Sequence, residues 1–347
     1  MTPRRRIYPV FVPHAGCPNN CVFCNQKRIS GSLFPVSAES VGKELSALPD
    51  GAGYELAFYG GSFTAIPASE QESLLAAAQP ARERGAVAAI RVSTRPDAID
   101  EHALVRLKKY GVGTVELGAQ SMIDSVLLAS ARGHTSEDTV KAAGLVKAFG
   151  FQLILQMMTG LPGSSPKLDT ETAERIIALR PDGVRIYPTV VVRDTALESM
   201  WRSGAYVEHT VEDAVELCAE LLPLFSSAGI PVIRLGLNPS DELSEGGAVG
   251  GAYHPALGEL VRSRILRREA EELLSRVPPG SNVSLSVTPG ELSAMIGQHR
   301  ENVRYLQERF SLGSLRVVSE GEKTGKKQDH AGTLVLAIHA SAPSGAE

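Results

Sequence analysis

Cysteine is scarce in this chain, with four in 347 residues, and three of the four fall within eight consecutive positions. That distribution excludes a disulfide-stapled scaffold, because three crowded thiols cannot all pair and Cys218 lies far along the chain. Long apolar runs are missing too: none reaches the roughly 20 residues that a membrane-spanning helix needs. The N-terminal stretch MTPRRRIYPVFVP is too short in its apolar part for a signal peptide and suits a first strand better. Neither sign of charge dominates, since 35 Lys and Arg face 39 Asp and Glu for a net charge of −4. This argues against strong nonspecific affinity for nucleic acid over the whole surface, though not against a local basic groove. Arg4, Arg5 and Arg6 could belong to such a groove or simply form a solvated terminus. No internal repeat or low-complexity tract is present. What remains is the composition of an ordinary globular protein, 43% hydrophobic and 21% charged, long enough for one large α/β domain and a smaller appendage.

Short β-rich runs alternate with helical segments, the pattern of βα units around a parallel sheet. Strands are expected at Ile7–Val12, Glu55–Tyr59, Ala89–Ser93, Thr114–Leu117, Leu153–Met157 and Val184–Tyr187, with a seventh at Val232–Leu235. Between them the pattern predicts helices at Ser37–Leu48, Ala68–Arg84, Ala98–Tyr110, Ser136–Phe149, Asp169–Leu179 and Val211–Ser226. Ser136 suits a helix cap and Gly150 a helix stop. The first strand runs into the cysteine segment, which a parallel barrel would place at the carboxyl ends of its strands, where reactive sites of such barrels sit.

That segment reads His14-Ala-Gly-Cys17-Pro-Asn-Asn-Cys21-Val-Phe-Cys24. A tetrahedral zinc site wants four ligands, usually as two separated pairs, and no second pair exists. His14 would complete a Cys3His set only at an unusual spacing. A C-x3-C-x2-C triplet fits a four-iron cluster instead, with Cys17, Cys21 and Cys24 holding three irons and the fourth left open to a small molecule. Thiolates of that kind and the lack of an export signal lead us to expect a reducing, cytoplasmic setting.

Further ordered motifs follow: FYGGSFT, STRPDAI, VELGAQS, ARGHT, MTGLPG and RIYPTVVVRDT. With CPNNCVFC they resemble the radical S-adenosylmethionine (SAM) superfamily, in particular the radical SAM portion of the Elongator catalytic subunit and, more distantly, oxygen-independent coproporphyrinogen oxidase. The resemblance covers most of residues 7–201 and implies a partial (β/α)6-type barrel, a [4Fe-4S] cluster, S-adenosylmethionine and an electron donor such as flavodoxin or ferredoxin. It implies SAM-facing roles for Gly60, Gly61 and Ser62, whose backbone would meet the SAM amino group. Thr94 or Arg95 would face the ligand after the third strand. Gln120 would bond ribose hydroxyls, and Arg132 would bind the SAM carboxylate with its planar fork. Phe23 either shields the adenine or packs, and Tyr187 could contact adenine or a substrate. Glu116, mid-strand among apolar residues, either points into the barrel or pairs with a basic neighbour. His134 and the pair Met157 and Met158 read as structural, and Cys218 as a small buried apolar residue. No catalytic residue acting on a substrate is assigned.

Domains are expected at 1–237 (barrel), 238–280 (a Gly-, Ser- and acid-rich linker, then a basic helix) and 281–340 (a small α+β domain), with a tail at 341–347. The small domain reads strand Asn282–Val287, helix Pro289–Ile296, loop Gly297–Arg300, helix Glu301–Phe310, strand Leu315–Ser319, then a Lys-rich loop and strand Thr333–His339. This order is reminiscent of the KH module, whose GxxG loop clamps a nucleic-acid backbone, except that Arg300 replaces the second glycine. A structural lid is the other reading. The Elongator subunit also carries an acetyltransferase domain. No acetyl-CoA pyrophosphate loop of the Arg-x-x-Gly-x-Gly/Ala kind follows residue 250, so acetyl transfer is not expected. The leading expectation is a radical SAM enzyme acting on a tRNA base. Alternatives are a small metabolite or tetrapyrrole substrate, a noncatalytic cluster-containing RNA-binding scaffold, and a zinc protein on a barrel.

Overall fold

The computed structural model describes residues 5–12, 17, 20–25, 36–238, 243–319 and 335–339. His14 lies outside them, so its part in a zinc set has no structural counterpart here, and so do the Lys-rich loop and the tail. The chain divides into two compact units, one of residues 1–214 with 220–255, the other of 215–219 with 256–347.

The first unit is built on a parallel sheet of seven strands: β1 (Ile7–Val12), β2 (Tyr54–Gly60), β3 (Val87–Thr94), β4 (Val112–Gln120), β5 (Gln152–Thr159), β6 (Gly183–Pro188) and, after the short β7 (Val190–Val192), β8 (Val232–Leu235). Their order in the sheet is the order in the chain, with β8 beside β6. Sequential parallel strands with helical crossovers curl into the half-barrel expected from the alternating pattern. Side chains alternate across each strand. One face is apolar and buried: Leu56, Phe58, Ile90, Val92, Val115, Leu117, Leu153, Leu155 and Ile186. Helices with matching faces pack there, among them Glu101–Lys109, which buries Leu104 and Leu107, and Ser136–Ala148, which buries Ala142, Ala143 and Val146. The opposite face carries Glu55, Tyr59, Arg91, Glu116, Gln156 and Arg185, with Gln156 and Arg185 directly opposite one another in the register.

Three local features differ from expectation. The helix foreseen over Ala68–Arg84 is two, Ala68–Ala77 and Gln79–Glu83, because Pro80 cannot donate into a continuous helix and restarts one at its second position. The cap of the helix after ARGHT is Thr135, in a reciprocal box with Asp138, one residue earlier than Ser136. Gly150 does follow that helix at φ +76°. The linker foreseen over 238–280 holds a strand, β9 (Ala248–Gly251), paired antiparallel with β7, so its first part belongs to the first unit and only residues from Ala256 onward to the second.

The second unit contains the helix Leu257–Leu274 and a three-stranded sheet of β10 (Asn282–Val287), β11 (Ser314–Ser319) and β12 (Val335–His339), in the order β11-β10-β12. β11 runs parallel to β10 and β12 antiparallel. The helices Leu292–Ile296 and Glu301–Arg309 connect β10 to β11. Leu266, Leu274, Val283, Leu285, Met295, Leu306 and Leu315 form its core. Glu216 joins Arg264 and Arg268 within this unit. Among the described residues no helix is long and apolar enough to cross a membrane.

Candidate functional site

Loops at the carboxyl ends of β1 to β6 bring together most of the residues singled out in the sequence. Cys21 is buried, and Cys17 and Cys24 are half-buried; none of the four cysteines forms a disulfide. A turn closes the segment, with Cys24 N donating to Cys21 O at 3.0 Å. Val22 ties it down, donating from N to Ser130 O at 3.1 Å and accepting at O from Leu197 N at 2.8 Å. Phe23 packs on Val22, Val191, Leu197 and Tyr206, so its packing role is seen directly. Among the described residues no three His, Cys, Asp or Glu side chains gather closely enough to hold a single metal ion. A cubane spreads its thiolates over separate iron corners and does not need that tight grouping.

Gly60 lies at φ +107°, and a Cβ there would come 2.9 Å from Val12 O, so only glycine lets β1 and β2 converge at this point. Gly61 N donates to Val12 O at 2.8 Å. Ser62 and Thr94 are both buried, and their hydroxyls meet at 2.9 Å, while Thr64 reaches Thr94 at 2.6 Å. These hydroxyls therefore lock the ends of β2 and β3 together. What this corner offers a ligand is backbone, at Gly60 and Gly61.

Two buried guanidiniums stand by the cysteine segment. Arg132 donates from Nη1 to Cys21 Sγ at 3.4 Å and from Nη2 to Gly118 O at 2.7 Å. Arg95, 2% exposed, is gripped by Asp97 at 2.9 and 3.0 Å and by Arg132 O at 2.7 Å. Burial opposes the Arg95 charge, but Asp97, Cys21 and Cys17 outweigh it and its pKa lies above the usual arginine value. Its Nη1 is buried with no hydrogen-bond partner among the described residues. Gln120 ends β4 at φ +65°, and its Oε1 is likewise buried and unanswered. A side chain on Gly118 would strike Arg132 Nη2 and Gln120 Nε2, each 2.8 Å from the position of its Cβ. Gly118 is thus what lets these two approach one another. His134 Nε2 lies 3.2 Å from Ala119 O; burial, then Arg132, holds its pKa down to about 4, so the ring is neutral. It braces β4 and has no free proton to move near neutral pH.

One layer deeper on the same face, Glu116 resolves the choice left open in the sequence: it is fully buried and paired. Arg91 and Arg185 both meet its Oε1, Arg185 at 2.9 Å, and Gln156 donates to its Oε2 at 2.9 Å. Arg91 also forms a two-pronged pair with Glu55 at 3.0 Å. Arg185 donates to Tyr59 OH at 2.9 Å; burial, then the Glu116 charge, pushes that phenol well above its ordinary pKa. At the next loop, Gly160 N donates at 2.8 Å to Asp169, which burial raises to about 6, and Tyr206 OH donates to Gly160 O at 2.7 Å.

Two family models match the chain: the Radical SAM superfamily over residues 11–176 and the Radical_SAM C-terminal domain over residues 181–267. Together they span more than two thirds of the sequence. The chain belongs to the radical SAM superfamily. By class it is an S-adenosylmethionine-dependent iron–sulfur enzyme. A tRNA uridine(34) acetyltransferase of Methanocaldococcus jannaschii is 37% identical over 132 residues, 37% of this chain and 24% of that protein. Human Elongator complex protein 3 is 36% identical over 138 residues, 39% of this chain and 25% of that protein. The chain thus spans about a quarter of the length of these curated relatives. Among solved structures, the archaeal Elp3 of Methanocaldococcus infernus superposes with a TM-score of 0.61 at 23% identity, covering 82% of this chain and 71% of that one. Coproporphyrinogen III oxidase of Escherichia coli superposes with a TM-score of 0.52 at 16% identity, covering 78% and 76%. Both show a shared fold.

Membership in the radical SAM superfamily implies a [4Fe-4S] cluster and SAM, and the residues present fit them. Three thiols, two cations turned toward them, and the unanswered Arg95 Nη1 and Gln120 Oε1 are what an anionic cluster with a polar ligand at its open corner would satisfy. Sequence reasoning named Thr94 and Arg95 as alternatives, and missed Arg91 and Arg185. The signal for those two is a lone arginine inside an apolar strand, AVAAIRVST and GVRIYP, which is costly to bury without a partner.

Proposed function

We propose that this chain holds a [4Fe-4S] cluster through Cys17, Cys21 and Cys24 and cleaves SAM reductively, in the service of tRNA base modification. Held by Cys17, Cys21 and Cys24, such a cluster would supply the one electron that splits the SAM sulfonium into methionine and a 5′-deoxyadenosyl radical able to take hydrogen from a substrate. Arg132 fixes Cys21 by its sulfur contact and offers its fork to the SAM carboxylate. Gly60 and Gly61 present backbone to the amino group, Ser62 and Thr94 hold that corner rigid, and Gln120 turns its free carbonyl oxygen to a ribose hydroxyl. The paired Glu116 layer lies beneath these residues on the same face of the sheet. The single observation that carries the reading is the convergence of Arg95 and Arg132 on the cysteine segment beside an unsatisfied Gln120.

The tRNA part is supported by the relatives, whose names place their action on uridine 34 of tRNA. A flavodoxin or ferredoxin would supply the electron. Acetyl transfer is not part of the proposal. The test is anaerobic reconstitution with iron and sulfide, addition of dithionite and SAM, and quantitation of 5′-deoxyadenosine. The parent should release it, and Cys21→Ala should release none. Cluster absorbance without 5′-deoxyadenosine from the parent would point to a noncatalytic scaffold and overturn the proposal.

A further inference from the structure

The connection between β10 and β11 contains a turn that the barrel chemistry does not use. Gly297 leaves the helix Leu292–Ile296 at φ +75°, and His299 and Arg300 follow at φ +49° and +62°. Two consecutive left-handed residues that are not glycine are uncommon, and something must hold them there. Asn302 does so. It is 4% exposed, and its Nδ2 lies within hydrogen-bond reach of Ser263 Oγ at 2.8 Å and of Ala294 O and Met295 O at 3.2 and 3.3 Å. A Cβ at Gly297 would meet Asn302 N at 3.1 Å, so the glycine and the asparagine depend on one another.

Beside this turn runs a groove of about 220 Å³, lined by Ile296, Arg300, Val303 and the β11 residues 315–318. Val303 and Leu315 are buried and form its floor, with Ile296 and Val317 half-buried above them. Its charged lining residues are Arg300 and Arg316, both exposed, and neither has an ion-pair partner among the described residues. Glu301, the acid nearest Arg300 in sequence, does not line it. β11 is an edge strand of the sheet.

The geometry points to this groove as a binding site for single-stranded RNA. An apolar floor with two unpaired guanidiniums on its rim complements a strand that alternates apolar base faces with phosphates. Drug-sized ligands occupy cavities of about 300–1,000 Å³, so a groove below that range suits one base at a time. Arg300, at the place where the KH loop has its second glycine, gives up close backbone approach there and supplies a charged donor to phosphate instead. The inference deepens the tRNA reading above and rests on it only for the identity of the strand.

The experiment is fluorescence anisotropy of the reconstituted 347-residue chain with labelled single-stranded RNA octamers, a double-stranded RNA of the same length, and a salt titration. The expected result is preference for the single strand. The double variant Arg300→Glu, Arg316→Glu should weaken that binding by about tenfold or more and flatten the log–log salt slope by about 0.7 per arginine. Should that variant fail to fold, Arg316→Gln serves as the milder substitution, with about one step of slope lost. Equal affinity of parent and variant, equal affinity for both RNAs, or no binding at low salt each overturns the inference. So does an edge strand that captures a polypeptide in preference to RNA. 5′-Deoxyadenosine release in the absence of RNA should be the same in parent and variant. Its loss from the parent would count against the proposed function and leave the groove result standing.

Discussion

Two layers of the same sheet face treat buried polarity in opposite ways. In the deeper layer both Glu116 oxygens are engaged, Arg91 is shared between two carboxylates, and of the donors there only Arg185 Nε lacks a partner among the described residues. At the loop ends above it, Arg95 Nη1, Gln120 Oε1 and His134 Nδ1 are all buried and unanswered. An unsatisfied buried group costs about 1–3 kcal/mol, so three at the loop ends call for partners that the described residues do not supply. The deep layer is closed by protein partners; the upper layer keeps polar atoms that no described residue answers, as the proposed function requires. That difference separates structural charge from functional charge more sharply than residue type does, since both layers use arginine.

The comparison predicts its largest stability effect in the deep layer. Glu116→Gln leaves Arg185 without its carboxylate and Arg91 with one of two. Removing one partner of a buried ion pair costs about 3–5 kcal/mol. Urea denaturation of the first unit should show a loss of that size. A loss below about 1 kcal/mol, the range of exposed pairs, would mean that the layer is solvated and the contrast unreal.

A second effect, about 3 kcal/mol at its limit, separates His134 from Asp169 by sign. The folded-state pKa of His134 is depressed from 6.5 to about 4, chiefly by burial, so its contribution is fully present above pH 6.5 and is lost as pH falls through about 4. That of Asp169 is raised from 3.8 to about 6, also by burial, so its contribution is present below pH 3.8 and is lost as pH rises through about 6. Between pH 6 and 4 the two slopes oppose and nearly cancel. His134→Gln keeps a donor for Ala119 O and removes one slope. Relative to the parent, the variant should therefore gain stability as pH falls from 6 to 4. Parallel pH profiles for parent and variant would refute the assignment of a neutral His134.

Much of this was legible in the chain before any coordinates. The alternation of apolar strands with amphipathic helices specifies a parallel sheet, and the cysteine spacing singles out the segment that lies beside Arg132, because both are local patterns. β7 and β9 escaped notice because strands of three and four residues, VVV and AVGG, carry no period, and the second is set in a Gly-rich loop. The Glu116 layer escaped for another reason. Glu55, Arg91, Glu116, Gln156 and Arg185 come from five strands, and only the register makes them neighbours. Thr94 and Arg95 could not be told apart in the sequence because they are adjacent; in the fold the Thr94 hydroxyl meets Ser62 and Thr64, while Arg95 feels the charge of Cys21 and Cys17. Gln120 was legible as a type of residue, while its left-handed backbone and unanswered oxygen were not.

Gln120 gives the smallest and most discriminating test. Asparagine tolerates the left-handed conformation better than most residues, so Gln120→Asn keeps the φ of +65° while drawing the amide back by one methylene. In the deep layer a comparable change would break a satisfied network. Here no protein hydrogen bond to Oε1 is lost, and the urea midpoint should move by no more than about 0.5 kcal/mol, as for substitutions away from critical contacts. SAM binding should weaken by about tenfold, the value of one hydrogen bond whose buried partner is left unmet. Equilibrium dialysis of SAM against the reconstituted protein measures the second quantity and denaturation the first. Stability lost with SAM affinity unchanged would reverse the roles given to the two layers, because the free oxygen would then belong to the fold and not to the ligand.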